Sequence, residues 1–195
     1  MTDDAVPDRP AVPTTRRRLL DTATRLFYER GIHSVGIDRI IAEAGVAKAT
    51  FYNHFPSKDD LVVAYLEDQD RIGRAAVAAL PKRPPAEMIA AIMGRIGEAA
   101  VAGGYRGCPF LNAAAEYPDR ESRVRQVVDA RRAWYHESLR TLVTEAGDPT
   151  PDDTASLLVA LSDGLLETAY LDDPVKVPGL IRDALARLLH RCPAF

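Results

Sequence analysis

Apolar residues recur at three- and four-residue spacing along most of the chain, and no stretch keeps the every-other-residue alternation of a strand for long. Leu19, Leu20, Ala23, Leu26 and Phe27 fall on one stripe, predicting a helix capped by Thr14 or Thr15 and stopped after Arg30 by Gly31. Ile37, Ile40, Ile41 and Ala44 predict a second, short helix ending at Gly45, and a third is expected from about Lys48 to His54, before Pro56. Ser57 with Asp60 reads as a capping box that opens a long helix to Leu80, where Pro81 breaks it. Five more helices are expected over about 85–102, 108–116, 119–146, 151–170 and 178–191, their limits marked by Pro85, Gly103-Gly104, Pro109, Pro118, Gly147, Pro151, Pro174 and Pro178. The pattern predicts an all-α fold of about nine helices without internal repeats, preceded by a proline- and aspartate-rich tail over residues 1–13.

A three-residue turn, Gly45-Val46-Ala47, joins the second and third helices, which is the spacing of a helix-turn-helix. Gly45 suits the left-handed conformation that ends a helix, and Val46 suits the space between the two. Phe51 and Phe55 are four apart and can face inward together, leaving Lys48, Thr50, Tyr52, Asn53 and His54 over the remaining faces. Lysine and histidine donate to phosphates, threonine and asparagine bond base edges or phosphates, and tyrosine adds a hydroxyl and a ring for thymine methyls. Such a face fits the major groove of B-DNA; the alternative is a helical hairpin that only builds core.

Charge sharpens the division. The chain carries a net −3, yet residues 14–58 hold eight basic side chains against four acidic ones, a local +4. A basic head that meets a polyanion, followed by an acidic body that does not, is the arrangement this implies. Two cysteines, Cys108 and Cys192, stand far apart without CxxC spacing, so neither a disulfide framework nor a zinc site is expected. The acidic start does not read as a secretory signal and no apolar run has the length of a membrane span, so a soluble, cytoplasmic protein is expected.

The run GVAKATFYNHFPSKDDL, with the preceding GIHSVGIDRIIAEA and the first-helix segment LLDTATRLFYERG, resembles the DNA-binding head of the tetracycline-repressor-like (TetR) family of bacterial transcription regulators, closely over residues 16–66. The resemblance implies a three-helix DNA-binding head over 14–60 and a helical body for ligand binding and dimerisation over 61–195. It places Lys48, Ala49, Thr50, Tyr52, Asn53 and His54 on the recognition helix, with Tyr52 and His54 mainly on phosphates. Arg39 and, from the start of the fourth helix, Lys58 complete the DNA-contacting set. Two positions depart from the family pattern: Gly36 stands where a capping, phosphate-touching threonine is frequent, and Ile41 where a small alanine is usual.

The body is less explicit. Leu157, Leu158, Leu161 and Leu165 on one helix, and Leu180, Ile181, Leu185 and Leu188 on the next, form stripes that serve equally as core or as an interface. The resemblance implies the latter, a homodimer through the last two long helices that sets two recognition helices about one DNA turn, ~34–36 Å, apart. It also implies a pocket among the middle helices for a small, largely apolar effector. Candidate lining residues are Met88, Ile92, Phe110, Asn112, Glu116, Trp134 and Tyr135, although Asn112 and Glu116 can also satisfy each other and nearby backbone. Cys108, at an expected helix start that would favour thiolate, is either a redox sensor or inert. The arginines Arg120, Arg123, Arg125, Arg131 and Arg132 alternate with acids as on a solvated face, and His136 has no partner at metal spacing.

Function narrows accordingly. No GxSxG, HExxH or phosphate-cradling glycine loop is present, and neither a nucleophile and base nor a cofactor is expected. The leading reading is a repressor of operator DNA released by its effector, though activation is compatible with the same sequence. An effector-independent architectural DNA binder is the alternative.

Overall fold

The computed structural model describes residues 13–102 and 104–189. The expected tail therefore lies outside the described residues except for Pro13, as do Cys192, Gly103 and residues 190 and 191 of the expected last helix. Among the described residues all regular structure is helical, in nine α-helices and one 3₁₀ turn. The chain divides into two compact units, Met1–Leu61 and Val62–Phe195.

The first unit contains α1 (Thr15–Arg30), α2 (Ile37–Ala44), α3 (Lys48–His54) and the first residues of α4 (Lys58–Ala78). Thr14 caps α1 by accepting from the Arg17 N–H at 3.3 Å. Gly45 ends α2 at φ 63°, ψ 44°, the left-handed conformation a Cβ would strain. At the start of α4 the Ser57 hydroxyl accepts from the Asp60 N–H at 3.1 Å and donates to the Asp60 carboxylate at 2.7 Å. Leu19, Leu20, Ala23, Leu26, Phe27, Ile32, Val35, Ile40, Phe51 and Phe55 are all buried in this unit.

The second unit is built from the rest of α4, α5 (Pro85–Val101), α6 (Pro109–Glu116), α7 (Arg123–Glu145), α8 (Pro151–Leu171) and α9 (Val177–Leu188). A large apolar cluster joins α5, α7, α8 and α9, including Ile89, Met93, Leu139, Val143, Leu158 and, just past α9, Leu189. Gly97 lets α5 approach α9 closely, since a Cβ there would sit 3.2 Å from Cγ of Pro178. A buried Asp148 closes the α7–α8 connection, accepting from the Thr150 N–H at 2.7 Å and the Thr154 hydroxyl at 3.0 Å.

Several boundaries differ from the sequence expectation, and α9 ends at Leu188 rather than near 191. Helix α4 ends at Ala78 rather than Leu80. Helix α7 begins at Arg123 rather than near 119, because Asp119 turns the chain by accepting from the Glu121 N–H and Ser122 then caps the helix through the Arg125 N–H. The turn Pro174–Lys176 precedes α9, with the Asp173 carboxylate accepting from the Val175 N–H.

Candidate DNA-binding helix-turn-helix and effector site

Helix α3 is only seven residues long, so it owes its stability to anchoring rather than to its own hydrogen bonds. Phe51 is fully buried and Phe55 nearly so, their ring centroids 6.1 Å apart. Arg16 of α1 lies over the Phe55 ring at 4.9 Å. With that side fixed, Lys48, Ala49, Tyr52, Asn53 and His54 are exposed and Thr50 is half-buried. Tyr52 stands edge-on to Phe51 at 5.2 Å, which orients the phenol while leaving it 42 % exposed.

Electrostatic pairs tie the helices of the head together. Glu43 on α2 accepts from both Arg25 of α1 and Arg39 of its own helix, the latter at 2.9 Å. These two guanidiniums, Arg25 foremost, hold the Glu43 carboxyl below its usual range. Lys48 at the start of α3 donates to Asp38 of α2 at 3.1 Å, and that bond raises the ammonium's pKa. Both pairs are exposed and cheap to exchange, so Arg39 and Lys48 can pass from carboxylate to phosphate. Lys58 is half-buried at the start of α4. Gly36 offers α2 no side-chain cap, and Ile41 is half-buried.

In the body, Phe110, Trp134 and Tyr135 gather around one residue that sequence reasoning put on a solvated face: Arg131. Its guanidinium carbon lies 5.7 Å, 4.5 Å and 5.7 Å from those three ring centres, and its side chain is only 20 % exposed. Tyr135 exchanges a 2.9 Å hydrogen bond with Ser162, and the Ser162 hydroxyl also contacts the Met93 sulfur at 3.1 Å. Ile92 is buried and Met88 half-buried on α5. Asn112 is exposed and donates to the Arg106 carbonyl at 3.0 Å, while Glu116 is half-buried. The signal for Arg131 was available, since 131, 134 and 135 share one helical face.

Cys108 stands at the N-cap position of α6, but its thiol runs opposite to the expected direction. Burial pushes its pKa up, outweighing the backbone N–H groups of Leu111 and Phe110 and the nearby Arg131 charge. His136 bonds Ser156 at 3.1 Å, and no metal-binding group of three His, Cys, Asp or Glu occurs among the described residues. A groove of about 270 Å³ lies between α5 and α9, lined by Ala90, Gly94, Pro178, Ile181, Arg182 and Leu185. None of the expected effector residues lines it.

The leucine stripes resolve into two. Leu158, Leu165, Ile181 and Leu185 are buried in the core of their own unit, whereas Leu157 and Leu180 are 53 % and 46 % exposed. Leu161 and Leu188 are partly buried at the edge of that core.

A short helix held by two buried phenylalanines, turned by a left-handed glycine and presenting a polar, cationic face, defines a helix-turn-helix DNA-binding protein. The family model for bacterial regulatory proteins of the tetR family matches residues 19–65, and that for the tetracyclin repressor-like C-terminal domain matches residues 113–191. The crystal structure of SCO4454, a TetR-family transcriptional regulator from Streptomyces coelicolor, superposes with a TM-score of 0.88 at 42 % identity, covering 91 % of this chain and 95 % of that one. The HTH-type transcriptional repressor Rv3405c of Mycobacterium tuberculosis is 31 % identical over 143 residues, 71 % of this chain and 72 % of that protein. A shorter match of 52 residues, 44 % identical, relates 27 % of this chain to 24 % of the HTH-type transcriptional activator FasR of Mycolicibacterium smegmatis. The chain belongs to the TetR family and is a DNA-binding transcription regulator.

Proposed function

We propose that the protein is a cytoplasmic repressor that binds a two-fold symmetric operator as a homodimer and is released by a small, largely apolar effector held in the body. The observation that carries the DNA-binding part is the α3 face: Lys48, Ala49, Thr50, Tyr52, Asn53 and His54 project from a helix whose other side is anchored by Phe51 and Phe55. Arg39 and Lys58 add donors from the flanking helices. Similarity to a protein named as a repressor over most of the chain supports repression, while the activator matches over a much shorter stretch. Among the described residues no helix is long and apolar enough to cross a membrane.

Dimerisation would use the outward stripe of α8, where Leu157, Ala160, Gly164 and Leu171 follow at three-, four- and seven-residue steps and all are exposed. Leu180 on α9 is exposed as well and would contribute to the same interface. The small residues Ala160 and Gly164 permit close helix approach. Effector binding would then shift the population toward a state whose two heads no longer fit successive major grooves. Moving that population from 1:99 to 99:1 requires the effector to favour the released state by about 5.5 kcal/mol.

The test is selection of bound fragments from randomised and genomic DNA at two salt concentrations. Enrichment of a two-fold symmetric site is the expected result. Salt-sensitive binding without enriched sequence would replace the reading with an architectural role.

A further inference from the structure

Arg131 is only partly compensated. Its Nη1 is buried without a hydrogen-bond partner among the described residues, and so is Oδ1 of Asp70, the nearest carboxylate oxygen, which lies 3.4 Å from Nε. Asp70 is itself shared, because its other oxygen accepts from Arg74 at 2.7 Å. Arg74 and Arg131 lie over the ring of Trp134, each at 4.5 Å. Two guanidiniums therefore face one carboxylate in a half-buried site. The neighbouring charges do not correct the balance: Asp163 is taken by Arg132 at 2.7 Å and Asp129 by Arg125 at 3.1 Å. Burial accordingly lowers the pKa of Arg131 in spite of Asp70. A buried cation with an idle donor is costly unless something anionic completes it.

From this we infer that Arg131 and Arg74, with the rings of Phe110, Trp134 and Tyr135, form the recognition centre for an organic monoanion, a carboxylate carried on an aromatic or apolar body. The inference rests on the effector reading above and names the effector's charge. A carboxylate matches the planar fork of a guanidinium, which presents two parallel N–H donors, and would bring the cluster to two cations and two anions. The aromatic walls supply the apolar contact. Phe110 belongs to α6, whose approach passes Gly104 and Gly107, both at φ 81°, so the wall it supplies, 5.7 Å from the guanidinium carbon, follows a segment with two glycines in the left-handed region. Gly73 of α4 lies beside the same centre, where a Cβ would stand in ordinary contact, 3.5 Å from Nη2 of Arg131.

The experiment titrates the full chain with 4-phenylbutyrate and with its neutral amide, 4-phenylbutyramide, following calorimetric heat and the emission of Trp134, the chain's one tryptophan. The acid is expected to bind saturably and change Trp134 emission, with the amide at least about tenfold weaker. Arg131→Gln should remove that preference for the acid while leaving the melting temperature unchanged or raised, since it deletes a poorly compensated buried charge. Arg74→Gln reads the same preference should the first variant not fold. Equal affinity for acid and amide, binding of neither, or an acid preference retained by the folded variants would overturn the anion centre. Operator release is measured in the same samples. Saturable acid binding without release keeps the anion site and removes its effector role, so the two readings fail separately.

Discussion

Within α3 the anchoring and the reading residues alternate, and their substitutions have different signatures. Lys48 carries a charge suited to phosphate and is held by an exposed pair with Asp38, so Lys48→Ala should weaken all operators alike and lower the salt slope by about one. Asn53 is exposed on the same helix with both a donor and an acceptor. Asn53→Ala should instead relax preference at one base pair, by about 1–3 kcal/mol, in a randomised-site selection. An unchanged preference would remove it from base readout. In the body, Cys108 and Tyr135 share a sign: burial raises both pKa values. Each then stays protonated in the fold at a pH where the unfolded chain ionises. Their stabilising contribution is complete below the ordinary thiol value of about 8.5 and is lost as pH rises beyond it. Denaturant unfolding across that alkaline range should show falling stability, and Cys108→Ala should flatten the first part of the fall; an identical slope would mean that the thiol does not couple to folding.

Among the elements, Asp148 shows how a connection between helices is made rigid without a helix-capping side chain. Thr150 stands at the start of α8 yet makes no side-chain cap; Asp148 accepts from its N–H and from the Thr154 hydroxyl instead. Asp148→Ala leaves the buried Thr154 hydroxyl without its acceptor and should cost about 1–3 kcal/mol, measured as a lower urea midpoint with unchanged m-value. Devices of this local kind account for most of what was legible in advance. Limits of α1, α2 and α6 follow from residues at or next to them, Thr14, Gly31, Gly45 and Pro109, and the turn and inward phenylalanines of the head read off spacing alone. The start of α7 was misplaced because Asp119 and Ser122 are two competing caps three residues apart, and only the backbone chooses between them. Arg131 departs for a different reason: alternation of charges along α7 describes solvation, and although Trp134 and Tyr135 share its helical face, the rest of its enclosure comes from Phe110 and Asp70, both remote in sequence.

For the molecule as a whole, the two sides of α8 decide whether one copy suffices. Adjacent leucines take opposite roles: Leu158 is fully buried in the core, while Leu157 is 53 % exposed and in line with Ala160, Gly164 and Leu171. Sequence spacing merged these stripes, since residues one apart on a helix differ by only about 100° and both were leucine. An apolar stripe left outward after the core is satisfied is what a second copy of the same surface would cover under two-fold symmetry. Leu157→Glu with Leu180→Glu would place like charges across that contact without touching the core, so the folded unit should persist while dimer formation fails. The expected outcome is a monomer by sedimentation, helical content and core melting retained, and operator affinity reduced by at least about a hundredfold because the second half-site no longer binds in concert. A variant that remains dimeric with full operator affinity would place the interface elsewhere on the body. A monomeric variant that keeps its operator affinity would show that one head alone reads the site, and would remove head spacing as the quantity an effector changes.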